Sequence, residues 1–157
     1  MTYKIKPVHP EILPQVWHLI GPILDKAISL TPERVSLDDI LTEIRHGEYL
    51  VWAVIRGEEI IAALTTRISQ YPQARVLAID FVAGKSLRQW MPQALEILER
   101  HAQSLGCIAL EGYGRPAWGR VLEKFEWQPY FTVYKKDLKS VERAKDNQGQ
   151  ARRPQVR

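Results

Sequence analysis

Apolar and polar positions follow two rhythms along the chain. From Leu87 to Leu105 the apolar residues Leu87, Met91, Ala94, Leu95, Leu98, Ala102 and Leu105 recur at spacings of three and four, which places them on one face of a helix. Gly106 closes the pattern, as a residue suited to the left-handed position after a helix. On either side stand continuous apolar runs, residues 76–82 and 107–110, with the length and content of buried strands. Between the first run and the helix lies a basic stretch, Gly84-Lys85-Ser86-Leu87-Arg88-Gln89. Strand, loop, helix and strand form the unit around which the chain is organised. The loop faces a helix N-terminus, whose unpaired N–H groups and dipole favour an anion. Pro92 suggests that regular helix begins near Trp90 or Met91, leaving the amides before it free.

The remaining pattern supplies the flanks. Residues 3–8 alternate and predict an edge strand, because Pro7 cannot donate to a ladder. Residues 10–28 are helix-like, with Ile12, Val16, Leu19, Ile20, Ile23 and Leu24, but Pro14 and Gly21-Pro22 predict separate pieces. Thr31-Pro32-Glu33 and Ser36-Leu37-Asp38-Asp39 read as helix starts, the second with Ser36 as N-cap. Residues 49–55 and 60–68 predict a hairpin across Arg56-Gly57-Glu58-Glu59, and Tyr71-Pro72-Gln73-Ala74 turns the chain into the central unit. After Leu110, Pro116 can open a helix whose apolar face holds Trp118, Val121, Leu122 and Phe125. YFTVYKKDL, residues 130–138, predicts a last strand. The expected fold is α/β, a mixed central sheet flanked by helices, with Ile79, Phe81, Leu95, Leu98 and Leu110 buried together.

Charge then divides the chain. The formal charge is +4 over 157 residues. Residues 139–157 carry all of it, with Lys139, Arg143, Lys145, Arg152, Arg153 and Arg157 against Glu142 and Asp146. The expected organisation is a domain over residues 1–138 and a flexible basic tail over 139–157. The balanced domain argues against a globally basic nucleic-acid face. A protein partner or larger assembly is the expected contact of the tail, ahead of nucleic acid. The chain lacks a long apolar run, so no membrane span is expected. The one cysteine, Cys107, leaves no internal disulfide and fits a reducing compartment. His9, His18, His46 and His101 lack ligand spacing, so no metal is expected.

Order and motif together resemble the GNAT superfamily of N-acetyltransferases, over about residues 3–138 and most strongly from 74 onward. The resemblance rests on element order, on HAQSLGC closing the long helix and on VLEKFEWQPYFTVYKKDL closing the domain. GRPAWGRVL is also similar to a group of phage-encoded GNAT-like proteins. The resemblance implies acetyl-CoA as cofactor, with its pyrophosphate at the N-terminus of the long helix. The family's glycine-rich loop positions fall on Ser86, Gln89 and Met91, none of which matches. Its general-acid tyrosine falls on Leu122, and its glycine and phenylalanine on Glu126 and Trp127. The implied cofactor contacts are Phe81, Val82, Gly84, Lys85, Ser86, Arg88, Gln89, Trp90 and Met91, with Arg115 and Trp118 from the following helix start. The N–H near Val82 would polarise the thioester carbonyl.

Asp80 interrupts the apolar strand and shares a face with Val76 and Ala78. It is either a general base toward an amine or a carboxylate paired with a nearby Lys or Arg. Tyr113 and Tyr134 are candidates for the missing acid, or half-buried packing residues. Arg115 and Trp118 could touch a cofactor, or stack on each other. Three functions stay open: an acetyl-CoA-dependent N-acyltransferase with a degenerate loop, a non-catalytic GNAT-fold phage structural or accessory protein, and, ranked behind, a nucleic-acid accessory protein. Localisation follows the choice, cytoplasmic for the first and virion for a phage component.

Overall fold

The computed structural model describes residues 2–138; the basic tail expected at 139–157 lies outside them. In chain order the elements are β1 (Lys4–Pro7), α1 (Leu13–Ile28), α2 (Leu37–Arg45), β2 (Leu50–Arg56), β3 (Glu59–Gln70), β4 (Arg75–Gly84), α3 (Leu87–Ser104), β5 (Ala109–Gly112) and α4 (Trp118–Glu123). Among the described residues the sheet has five strands in the order β1-β2-β3-β4-β5. The first four pair antiparallel and β5 joins β4 in parallel. This is the expected mixed sheet flanked by helices. The described residues divide into two compact units, 2–115 and 116–138.

In the first unit each face of the sheet has its own core. One face holds Tyr3, Ile5, Trp52, Val54, Leu64 and Leu77 with Trp90, Ala94, Leu98 and Ala102 of α3. The other holds Val51, Ala53 and Ala63 with Ile20, Leu24 and Ile28 of α1 and Ile40 and Ile44 of α2. The long central strand and α3 meet as their periodicity requires. Leu98 is fully buried, with Ile79 and Leu110 packed against its cluster. Phe81, however, belongs to the opposite core. The cause is a β-bulge: Thr66 pairs with Ile79 and Thr65 with Phe81, so Asp80 is an extra residue in β4. One inserted residue reverses the alternation beyond it. The Phe81 N–H donates to Thr65 Oγ1 at 3.3 Å.

Three further expectations are corrected. α1 is one helix with Pro22 inside it; Pro14 lies in its first turn, where no N–H is needed, and burial of Ile20, Leu24 and Ile28 outweighs the hydrogen bond that Pro22 forfeits. Gly21 gives room to Trp17, since a Cβ there would stand 3.2 Å from its ring. Thr31-Pro32 forms turns, not a helix. α3 begins at Leu87, not at Trp90 or Met91, because Ser86 at its N-cap turns left-handed (φ 57°) and starts the helix a turn earlier. Ser36 caps α2 as expected: its Oγ accepts from the Asp39 N–H at 3.2 Å while Asp39 accepts from the Ser36 N–H at 2.9 Å.

In the second unit, α4 is shorter than its apolar pattern and buries none of its residues. Residues 130–138 form no strand. Strand propensity alone does not fix a strand; a ladder partner does, and this segment has none among the described residues. Tyr130, Phe131, Val133, Tyr134 and Leu138 are exposed.

Candidate functional site

The bulge at Asp80 also marks where β4 and β5 part. β5 pairs with β4 only from Val76 to Ile79, against Ala109 to Gly112. β4 continues alone on that side through Phe81 and Val82 to Gly84. The result is an open backbone edge that leads to the start of α3. Gly84 is required there by packing: its φ is 131°, and a Cβ would stand 2.4 Å from Ala62 Cα and Cβ. The Lys85 N–H is taken by Ile61 O at 2.9 Å, and the Gln89 and Trp90 N–H groups turn back to Ser86 O. Leu87 and Arg88, the first two helical residues, have no acceptor within α3.

The side chains of this stretch separate by role. Lys85 and Arg88 are exposed and cationic; Lys85 stands 3.8 Å from Glu59 in a solvent-exposed pair of small energetic weight. Ser86 makes no side-chain cap. Gln89 is occupied, since its Oε1 accepts from the Tyr3 hydroxyl at 2.5 Å. Trp90 and Met91 are buried, and Trp90 Nε1 donates to Lys85 O at 2.8 Å. Trp90 thus ties the loop to the core through a buried side chain. Phe81 packs 6.4 Å from the ring of Tyr49.

On the face that carries α1 and α2, polar side chains gather around Asp80. Arg67 grips Asp80 with two nitrogens, Nε to Oδ2 at 2.5 Å and Nη2 to Oδ1 at 3.4 Å, while Nη1 donates to Ser69 Oγ at 2.7 Å. The Asp80 side chain is 9% exposed and that of Arg67 27%. Of the two readings of Asp80, the geometry matches the paired carboxylate. Burial opposes the charge on Arg67, but Asp80 outweighs it and holds the guanidinium above its ordinary value. β5 adds Glu111, whose Oε1 accepts from the Tyr71 hydroxyl at 3.0 Å. Tyr113 follows one residue beyond the strand and is 39% exposed. Burial and then Glu111 push its phenol up, against the opposing pull of Arg67. Burial and the Glu111 hydrogen bond do the same to Tyr71.

The remaining candidates lie at the end of the first unit or in the second. Arg115, in the first, is exposed. Trp118 opens α4 in the second unit, and Tyr134, also there, is 91% exposed without a side-chain hydrogen bond among the described residues. Arg67, Tyr71 and Glu111 escaped the sequence reading. Arg67 sits in a strand that reads as half of a hairpin, and only register brings it beside Asp80. The one signal was charge within otherwise apolar strands. Among the described residues no group of His, Cys, Asp and Glu is placed to hold a metal ion, and no helix is long and apolar enough to cross a membrane.

A five-stranded mixed sheet flanked by helices is the fold of the GNAT acetyltransferases, and solved structures align with it. Glucosamine-6-phosphate N-acetyltransferase from Arabidopsis thaliana aligns with a TM-score of 0.61 at 16% identity, over 87% of this chain and 99% of its own. An aminoglycoside acetyltransferase from an uncultured soil metagenomic sample gives 0.66 at 12% identity, over 88% and 99%. A GNAT family acetyltransferase from Staphylococcus aureus gives 0.58 at 15%, over 88% and 100%. At such identities the likeness is one of fold. No family model matches the sequence, and no curated protein matches it.

Proposed function

We propose that this chain is an acetyl-CoA-dependent N-acyltransferase whose cofactor lies along the unpaired edge of β4. The observation that carries this reading is the parting of β4 and β5 after Ile79 and Gly112. It leaves those backbone groups of residues 80–84 that face away from β3 open to an extended ligand chain, which can add to a strand edge as a strand does. The edge ends where Lys85 and Arg88 stand beside the first amides of α3, a combination suited to phosphate. The residues therefore fit the cofactor, with side-chain charge in place of a glycine-rich cradle. Bound acetyl-CoA supplies a thioester-activated acyl group for transfer to an amine nitrogen.

The chain's own groups have distinct parts. Tyr113, its phenol pushed up, keeps its proton at neutral pH and is the proton donor of the cluster. Asp80 is committed to Arg67, so it fixes the guanidinium beside Tyr113, and the amine loses its proton to water. The fold of acetyltransferases with amine acceptors supports the class of reaction.

Isothermal titration with acetyl-CoA tests the reading. Binding is expected in the micromolar range, and the Lys85→Ala/Arg88→Ala double variant should weaken it about tenfold, more at low salt. Tyr113→Phe should lower kcat about a hundredfold while acetyl-CoA still binds. Absence of binding at millimolar acetyl-CoA would overturn the proposal.

A further inference from the structure

The first turn of α3 lacks much of what usually holds a helix start. Its N-cap Ser86 makes no side-chain bond to a helix amide, and no acidic residue stands in the turn. Arg88 instead puts a cation at the positive end of the helix dipole, where it is unfavourable. Pro92 offers no N–H to the Arg88 carbonyl, so the bond that would join the first turn to the next is forfeited. The Trp90 N–H reaches Ser86 O only at 3.4 Å. The helix nevertheless begins at Leu87. Support comes from Tyr3, just before β1. Its hydroxyl donates to Gln89 Oε1 at 2.5 Å, and its carbonyl accepts from Gln93 Nε2 at 3.0 Å. Its ring is buried in the same core cluster as Trp90 and Ala94. Gln89 and Gln93 stand four residues apart, on one face of α3. Two bonds from one residue to that face fix both the rotation and the axial position of the first turn.

We propose that Tyr3 is a positioning residue for the cofactor: by clamping Gln89 and Gln93 it holds the first turn of α3 in the geometry that receives the phosphates. This rests on the acyltransferase reading above. Tyr3 touches no reacting atom and acts through Gln89. The amides of Leu87 and Arg88 and the cations of Lys85 and Arg88 stand at the end of the helix that it steadies. With the clamp closed, these groups are set before the ligand arrives, and binding does not carry the cost of ordering the turn. A turn that had its own cap would gain little from such a tie. Here the missing cap, the cation at Arg88 and the proline at position 92 make the tie from β1 decisive.

The test titrates acetyl-CoA into the full chain and into two variants. Tyr3→Phe keeps the ring and removes the hydroxyl. Ile5→Val trims the same core cluster but removes no bond to α3. Tyr3→Phe is expected to raise Kd about fivefold, with kcat at saturating acetyl-CoA within about twofold of wild type. Ile5→Val should leave Kd unchanged. Gln89→Leu should weaken binding as much as Tyr3→Phe does, and the double variant no further, because each loses the same bond. In the free protein, amide exchange at Gln89 and Trp90 should quicken about tenfold in Tyr3→Phe and not in Ile5→Val. An unchanged Kd in Tyr3→Phe, an equal loss in Ile5→Val, or additive losses in the double variant would overturn the positioning role and leave the acyltransferase reading standing. If the wild type does not bind acetyl-CoA, that reading has failed, and the exchange measurement decides the clamp. Quickening confined to the first turn in Tyr3→Phe supports it; exchange that is unchanged, or raised alike in Ile5→Val, refutes it.

Discussion

At the scale of single residues, the Arg67–Asp80 pair fixes what the rest of the cluster can do. Asp80→Asn leaves a half-buried guanidinium with a weaker partner, which should cost about 1–3 kcal/mol in chemical denaturation. If Asp80 acted only as a free base, activity would fall with stability untouched. Trp90 is a second fixed point, buried and bonded to the loop carbonyl at Lys85. Trp90→Ala should cost about 3–5 kcal/mol. Trp90→Phe should cost less, yet loosen the loop, visible as faster hydrogen exchange at residues 85–88. His101 packs edge-on against Trp52 at 5.0 Å, and burial pushes its imidazole down from 6.5. The unfolded chain therefore takes up this proton at a higher pH than the folded one. The stability His101 contributes is present above 6.5 and is lost as pH falls through the folded value. Thermal melts from pH 7.5 to 5 should show a decline that His101→Asn reduces; an identical decline in the variant would assign it to other groups.

At the scale of elements, sequence signals held wherever the decision was local. The capping box at Ser36 is written in four consecutive residues, and the α3 face in its own spacing. Ser36→Ala should cost about 1 kcal/mol. Signals failed where packing overruled them. Pro22 reads as a break, but α1 buries enough apolar surface to continue through it. Pro22→Ala should therefore stabilise the protein by about 1–3 kcal/mol, as it restores a donor in an already formed helix; a lower melting temperature would mean that the ring itself is packed. Gly84→Ala should be severe, because its Cβ has no room against Ala62 and its φ is unsuited to a side chain. The β4 bulge was illegible from alternation, since Asp80 looks like one more position in period two. Only the pairing of Thr65 and Thr66 with β4 exposes the extra residue.

At the scale of the whole molecule, both hydrophobic clusters fall within residues 3–110. A chain ending at Arg115 should therefore keep a cooperative melt and its β-sheet circular dichroism. A non-cooperative melt would show that residues 116–138 complete the core. Apolar periodicity, turn chemistry and cap residues by themselves determined the capped helix α2, the buried face of α3, the hairpin, the edge position of β1 and the α/β class, because each depends on neighbours within a few positions. Tertiary structure alone decided the rest. It paired Arg67 with Asp80, brought Tyr71 and Glu111 together from positions forty apart, sent Phe81 to the other core and, among the described residues, gave 130–138 no strand partner. Those outcomes depend on register and on which edges meet, and a side chain carries no local record of the residue that a ladder will set beside it.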